Sequence, residues 1–129
     1  MSAQKKMIEA ALAAGKSADD KPDGLVEVTL KAENTLDPNW PVTDTVMKVP
    51  LGSSVYYMLL QAYKDGKITE LGARWYVDFW SHLIESINGV KNKDNKYWRF
   101  EDGEGNAFEY GVDRIPLRDG DVIKFRYVN

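Results

Sequence analysis

Apolar and polar residues alternate from Leu25 to Ala32, and this pattern restricts the fold more than any other feature of the sequence. Val26, Val28 and Leu30 fall on one face of an extended chain, and charged or polar residues fall on the other. This is the period of a half-buried β-strand. The sequence therefore predicts that the folded unit begins at Leu25 with a strand that buries one face.

The segments that follow add one helix and several further strands. Residues 43–49 are β-rich and are separated from the first strand by a proline-containing loop, which predicts an antiparallel pair. From Val55 to Tyr63 the apolar residues recur at helical spacing, with Ser54 as a candidate N-cap and Gly66 as a stop. Further strand candidates are residues 83–87, 97–101 and 122–127, while residues 68–80 fit either a strand or an irregular turn.

This order of elements predicts an α+β domain with a β-grasp-like arrangement. One main helix is expected to pack across a mixed sheet, with the first and last strands as central neighbours. We divide the chain into residues 1–24, a short N-terminal helix and linker, and residues 25–129, the folded domain. The helix is predicted from the spacing of Met7, Ile8, Ala11 and Leu12 in an alanine-rich segment.

Composition excludes several classes of function. The chain has 129 residues, which favours one domain, and its 17 basic and 20 acidic residues give a net charge of −3. With no basic block, neither a nucleic acid nor an anionic membrane surface is expected as a partner. No stretch approaches the roughly 20 apolar residues that span a bilayer. The absence of cysteine rules out thiol catalysis, thiolate metal sites and disulfides.

Catalytic chemistry has little support in the sequence. Ser81, His82 and Asp78 could be assembled into a Ser-His-Asp arrangement on paper, but adjacent strand residues point to opposite faces and no nucleophile elbow accompanies them. His82 is the only histidine, so a zinc site would need one imidazole and carboxylates, which is not expected. A surface histidine and a lone ligand to the metal of a cofactor both stay open. We expect no enzyme activity and assign no metal ligand.

Aromatic residues are the main remaining signal for function. Four Trp, seven Tyr and four Phe concentrate at residues 75–80 and 97–100, and aromatic side chains often line ligand clefts and partner surfaces. Two interpretations compete for them. Trp98, Phe100 and Tyr127 are interpreted as core residues, whereas a surface role is open for Trp75, Tyr76 and Trp80.

Five segments, taken in order, resemble the C-terminal β domain of the transcobalamin and intrinsic-factor family of cobalamin carriers. They are VMKVPLGSSV (46–55), IESINGV (84–90), KYWRF (96–100), YGVD (110–113) and LRDGDVI (117–123). The resemblance covers about the last 100 residues. It implies a β-grasp-like domain that covers one face of cobalamin while a helical partner domain holds the other face.

By this resemblance, the chain is a non-enzymatic module that binds a small ligand, with cobalamin as the candidate, and takes part in extracellular transport. Asn88, Tyr97 and Trp98 match the region that faces the ligand in the carriers. Trp80 is added as an aromatic residue just before a matching strand. The alternative is a protein-protein interaction module of β-grasp type with no small-molecule ligand.

Overall fold

The computed structural model describes residues 24–129, and the predicted N-terminal helix lies outside the described residues. Within them the chain forms strands β1 (Leu25–Asn34) and β2 (Thr43–Pro50), helix α1 (Val55–Lys64), and strands β3 (Leu71–Tyr76), β4 (Ser81–Ile87), β5 (Val90–Lys91), β6 (Tyr97–Asp102) and β7 (Val122–Val128). Two short 3-10 turns cover Val77–Phe79 and Val112–Arg114. In this part of the chain no helix has the length and apolarity needed to cross a bilayer.

The strands form two sheets. One sheet has the order β2-β1-β7-β6 and the other the order β3-β4-β5. β1 pairs in parallel with β7, and the remaining pairs are antiparallel. The predicted central pairing of the first and last strands is confirmed, as is a β-rich α+β fold with one main helix. The prediction of a single mixed sheet is replaced by a mixed sheet plus a second, antiparallel one, and the β-grasp label stays a prediction.

The core lies on the face of the four-stranded sheet that the alternation marks as apolar. Val26, Val28 and Leu30 of β1 are buried together with Ile123 and Phe125 of β7. Helix α1 buries Val55, Met58, Leu59 and Ala62, so its apolar stripe joins the same core. The predicted cap is confirmed, because Ser54 Oγ accepts a hydrogen bond of 3.0 Å from the backbone N–H of Tyr57.

The turn before β7 ties that strand to β1 through polar contacts. The backbone N–H of Thr29 donates to the Asp121 carbonyl at 2.9 Å, and Asp121 Oδ2 accepts from the Arg118 N–H at 2.8 Å. Burial of this carboxyl raises the pKa of Asp121 from 3.8 to about 6, against the lowering effect of the Arg118 hydrogen bond and charge. Between pH 3.8 and about pH 6, the Asp121 carboxyl is therefore protonated to a greater extent in the folded protein than in the unfolded chain.

We expect Asp121→Asn to change how stability depends on pH. Because the folded pKa is the higher one, the contribution of Asp121 to the free energy of unfolding is fully present below about pH 4 and is lost as the pH rises to about 6. For a half-buried carboxyl, we expect a loss of about 1 to 2 kcal/mol. Urea unfolding of both proteins from pH 4 to 7 measures the difference. Asp37→Asn, in an exposed turn, is the control, and an equal pH slope in wild type and Asp121→Asn would contradict the assignment.

Candidate ligand-binding site

The chain between β3 and β4 presents a tryptophan in a strained backbone conformation. After the 3-10 turn, Trp80 has φ 50° and ψ 44°, the left-handed region, and its N–H donates to the Val77 carbonyl at 3.3 Å. A non-glycine residue costs about 1 to 2 kcal/mol in this region. The side chain is nevertheless 66% exposed, so little of this cost is recovered by burial of the ring. Strain of this kind is concentrated at functional sites.

Four rings beside this turn form a continuous chain of contacts, and we call them the ring cluster: Tyr56, Trp75, Trp80 and His82. Tyr56 of α1 stacks on His82 with ring centres 4.0 Å apart and planes at 9°. Trp75 of β3 meets His82 edge-on at 5.3 Å and Trp80 edge-on at 6.4 Å. The cluster therefore links helix α1 to the three-stranded sheet and keeps two exposed indoles in edge-to-face contact.

A carboxylate holds the imidazole of the ring cluster in one orientation. His82 Nδ1 lies 3.0 Å from both carboxylate oxygens of Asp113, and the His82 backbone N–H donates to Oδ1 at 2.7 Å. Ser81 Oγ donates to the same oxygen at 3.1 Å and accepts from the Asp113 N–H at 3.0 Å. The two side chains are only 24% and 23% exposed. The imidazole is thus fixed with Nδ1 toward Asp113.

Close packing of the backbone at Gly111 brings the Asp113 carboxylate next to His82. A Cβ at Gly111 would lie 2.2 Å from Ser81 Oγ and 2.3 Å from Ser81 Cβ. Ser81 is fully buried, so no side chain fits at residue 111 without movement of β4 or of the loop. The loop can therefore approach β4 closely enough for Asp113 to reach His82.

A cavity of about 310 Å³ lies between the two sheets next to the ring cluster. Aromatic and aliphatic side chains form most of its wall, and His82 belongs both to this wall and to the ring cluster. The lining residues are Phe79, His82, Leu83, Ile84, Trp98, Phe100, Glu109, Tyr110, Gly111, Val112 and Phe125. A mostly apolar cavity with a few polar groups is the usual setting of a small-molecule site.

The structure places Trp98 in the core, as interpreted from the sequence, and also on the wall of this cavity. Trp98 is 5% exposed, and its Nε1 donates to the Val90 carbonyl at 2.8 Å. Its ring packs against Trp40 at 5.7 Å and Tyr127 at 5.2 Å. A ligand in the cavity could contact this ring, but most of its surface is occupied by protein.

The other predicted site residues lie apart from one another. Trp80 belongs to the ring cluster, whereas Tyr97, 45% exposed, points to the opposite face of β6 from Trp98. Asn88 has φ 49° in the turn between β4 and β5. Its Oδ1 accepts from the Thr69 N–H at 2.7 Å and from Thr69 Oγ1 at 3.2 Å. The Asn88 side chain thus has a structural role, and contact of Asn88 or Tyr97 with a ligand stays a prediction.

Sequence reasoning missed Asp113 as the partner of His82 and considered Asp78 instead. The two residues of the real pair are 31 positions apart, and no local spacing rule connects them. The available signal was the YGVD segment at residues 110–113, which we used only as part of the resemblance. No group of three or more metal-binding side chains occurs among residues 24–129.

Comparison with solved structures supports the fold. The chain resembles haptocorrin in complex with Cbi with a TM-score of 0.70 and 19% sequence identity, covering 81% of this chain and 25% of the haptocorrin chain. It also resembles a protein from Ruminococcus gnavus ATCC 29149 whose description proposes metal binding, with a TM-score of 0.58 and 13% identity, covering 81% of this chain and 97% of that one. At these identities the likeness shows the fold alone.

Sequence comparison gives a family. No curated protein matches the chain. Residues 52–129 match the family described as "Domain of unknown function (DUF4430)", and the match begins just before α1 and runs through β7, so that it includes the ring cluster, Asp113 and the whole cavity wall. Because this match covers more than half of the chain, the protein belongs to the DUF4430 family.

Proposed function

We propose that this protein is a non-enzymatic module that binds a small planar ligand of the cobalamin type on the ring cluster. The observation that carries the proposal is the exposed Trp80, held in a left-handed conformation beside Trp75, which in turn contacts His82 on the wall of an apolar cavity. Flat aromatic faces pack well against a flat ligand and lose little conformational entropy on binding. The similarity in fold to haptocorrin, whose structure contains Cbi, supports a corrinoid as the candidate.

The size of the cavity decides how such a ligand would be placed. Pockets that enclose a drug-sized ligand measure about 300 to 1,000 Å³, and this cavity, at about 310 Å³, is at the lower limit. A corrinoid is much larger than a drug-sized ligand. It would therefore lie across the ring cluster, and only a peripheral group would enter the cavity.

This placement leaves one face of the ligand uncovered by the described residues. The chain aligns with only 25% of the haptocorrin chain, so most of that protein has no counterpart in the alignment. We include in the proposal a helical partner, on the same or another chain, that covers the second face, and an extracellular role in transport. From this part of the proposal we expect that affinity for the ligand rises when the helical partner domain is added.

The geometry around His82 favours binding over catalysis. A nucleophile activated by histidine must hydrogen-bond to the imidazole. Ser81 Oγ instead has the Asp113 carboxylate and the His82 carbonyl as acceptors for its single proton, and it accepts from the Asp113 N–H. The Ser81 hydroxyl is thus used to hold the loop that carries Asp113, which supports a module without hydrolytic activity.

A protein partner is the second candidate, favoured by the apolar surface of the same turn. Val77 is 61% exposed and Phe79 46% exposed, next to Trp75 and Trp80. Contiguous apolar surface on a folded protein is typical of interaction sites as well as of ligand sites. A ligand requires the cavity and the rings together, whereas a protein partner requires only the apolar surface.

Titration with cyanocobalamin tests the proposal. We expect saturable quenching of tryptophan fluorescence together with a change in the corrin absorbance, because Trp80 would lie face-on against the ring system and Trp75, whose plane is at 80° to that of Trp80, would meet it edge-on. Binding by equilibrium dialysis at the same concentrations provides an independent affinity. No binding at high micromolar ligand would contradict the proposal and favour the protein partner.

The variant Trp80→Gly separates binding from folding. Glycine adopts the left-handed conformation without strain, so the substitution removes about 1 kcal/mol of backbone strain at residue 80. This gain offsets the loss of the edge contact with Trp75, which is worth a similar amount. We expect unchanged stability and an affinity for cyanocobalamin lower by about ten- to thirty-fold, as for a buried tryptophan contact. Val46→Ala, an exposed apolar residue of β2, is the control. Unchanged affinity in Trp80→Gly would remove Trp80 from the site.

A further inference from the structure

Strand β2 is an open edge of the four-stranded sheet. It pairs with β1 on one side only, and apart from that pairing no backbone hydrogen bond to residues 43–49 comes from the described part of the chain. In an edge strand of an antiparallel pair, every second residue points its N–H and C=O groups away from the sheet. Within residues 24–129 these groups of β2 have no strand partner.

The other sheet edges of the described chain are short, irregular or covered. The free side of β6 is covered by the chain that follows it, because the Phe108 N–H donates to the Phe100 carbonyl at 2.9 Å. β3 has a register shift after Gly72, and β5 has only two residues. Such features prevent pairing between chains. β2 has none of them, since its eight residues pair with β1 in continuous register.

The outward face of β2 carries two opposite charges at equal distances from its centre. Asp44, Val46 and Lys48 are exposed and alternate with buried or half-buried residues. The Lys48 ammonium makes no ion pair with residues 24–129, and Asp44 has only a 3.8 Å contact with Lys31. Exposed pairs of this kind add little stability. Both charges are therefore available to a strand added at this edge.

One register of two β2 strands pairs these charges. When two copies pair antiparallel about a two-fold axis perpendicular to the sheet, the residue at the axis lies opposite its own copy. With Val46 at the axis, Asp44 of each copy lies opposite Lys48 of the other. An axis at Thr45 would place Asp44 opposite Val46 instead. An axis at Met47 would place Lys48 opposite Val46. Opposite charges stabilise directly opposing strand positions, so charge complementarity selects the register centred on Val46.

We propose that two copies of this protein form a symmetric dimer by antiparallel pairing of β2, with Val46 at the two-fold axis. The pairing joins the two four-stranded sheets into one continuous sheet. Backbone hydrogen bonds form along the strands, and an Asp44–Lys48 pair forms on each side of the axis. No residue of β2 lines the cavity or belongs to the ring cluster, so dimerisation and ligand binding are separate properties.

Sedimentation velocity of the full chain tests for the dimer. A contact along one strand edge is small, and small interfaces give weak complexes, so we expect a dissociation constant of roughly 10 to 100 µM at low salt. The sedimentation coefficient should therefore rise between about 5 and 500 µM protein. The rise should be smaller in about 0.5 M NaCl, because salt screens exposed charge pairs. A single monomeric species throughout would overturn the proposal and leave this edge to residues 1–23 or to a strand of a different protein.

Charge reversal tests the register. Asp44→Lys and Lys48→Asp each place like charges opposite each other on both sides of the axis, so either variant alone should dimerise at least ten-fold more weakly than wild type. An equimolar mixture of the two variants restores opposite charges at both positions, and we expect a heterodimer of near wild-type affinity. Glu104→Lys, in the exposed turn after β6, makes the same change in net charge as Asp44→Lys and should match wild type.

Amide hydrogen exchange in the wild type locates the interface without any variant. At dimer-forming concentrations, the N–H groups on the free side of Thr43–Pro50 should exchange more slowly than in dilute protein, and those of β3 should not change. Circular dichroism checks that each variant folds. A dimer that neither reversal weakens, a mixture of folded variants that stays monomeric, or slower exchange confined to another element would overturn the proposed pairing.

Discussion

Replacing Trp98 by alanine is expected to lower the free energy of unfolding by about 3 to 5 kcal/mol, the usual cost of removing a large buried aromatic side chain. The ring is 5% exposed and packs between Trp40 and Tyr127. Its Nε1 hydrogen bond to Val90 joins β6 to the short β5. This cost is a large part of the stability of a small domain, about 5 to 15 kcal/mol, so the variant should unfold at much lower urea concentration.

Trp98→Phe is the matched variant for this prediction. It keeps an aromatic ring in the core but removes the indole N–H, so it should cost less than the alanine variant and still fold. Ligand affinity can then be measured in Trp98→Phe, which tests the predicted ligand contact of Trp98 separately from its role in the core. A loss below about 1 kcal/mol in Trp98→Ala would show that the ring is not a core residue.

Replacing Gly111 by alanine is expected to cost about 1 to 3 kcal/mol, the range for overpacking a closely packed position. The new Cβ would lie 2.2 Å from Ser81 Oγ, far inside van der Waals contact, and Ser81 is buried on β4. Movement of either segment would separate Asp113 from His82. We therefore expect Gly111→Ala to lose stability and also the contact of His82 Nδ1 with Asp113, measured by urea unfolding and by ¹⁵N resonances of the imidazole.

A double-mutant cycle shows whether this contact is the cause. Ser81→Gly removes both atoms that the new Cβ would meet, so Gly111→Ala should cost little in that background. The interaction energy between the two substitutions should then be about 1 to 3 kcal/mol in the compensating direction. If Gly111→Ala costs the same in both backgrounds, the close approach to Ser81 does not explain the glycine.

Elements whose pattern is local and strong could be predicted from the sequence. The alternation of Val26, Val28 and Leu30 identified β1 within two residues of its observed end. The apolar spacing after Ser54 identified α1, because the cap and the stop at Gly66 both lie next to the helix. The β-grasp-like order of elements predicted that the first and last strands are central neighbours, which is confirmed, and the structure adds that β1 and β7 run in parallel.

The candidate site was harder to predict, because long-range packing forms it. Residues 68–80 mix a strand with a 3-10 turn, so no single periodicity describes them, and the left-handed backbone of Trp80 contradicts local propensity. The contact of His82 with Asp113 depends on how closely the loop at Gly111 packs on β4. Aromatic content indicated a binding surface, but only tertiary structure shows which rings meet.

Mapping the binding of cyanocobalamin onto the protein by two-dimensional ¹H-¹⁵N NMR tests the central claim most directly. The account predicts that the largest shifts occur at the indole N–H signals of Trp75 and Trp80 and at backbone amides of residues 76–83 and 109–113. The outward face of β1 and β2 should be unaffected. Saturable shifts confined to that face, or no shifts at ligand concentrations well above the protein concentration, would contradict a ligand site at the ring cluster.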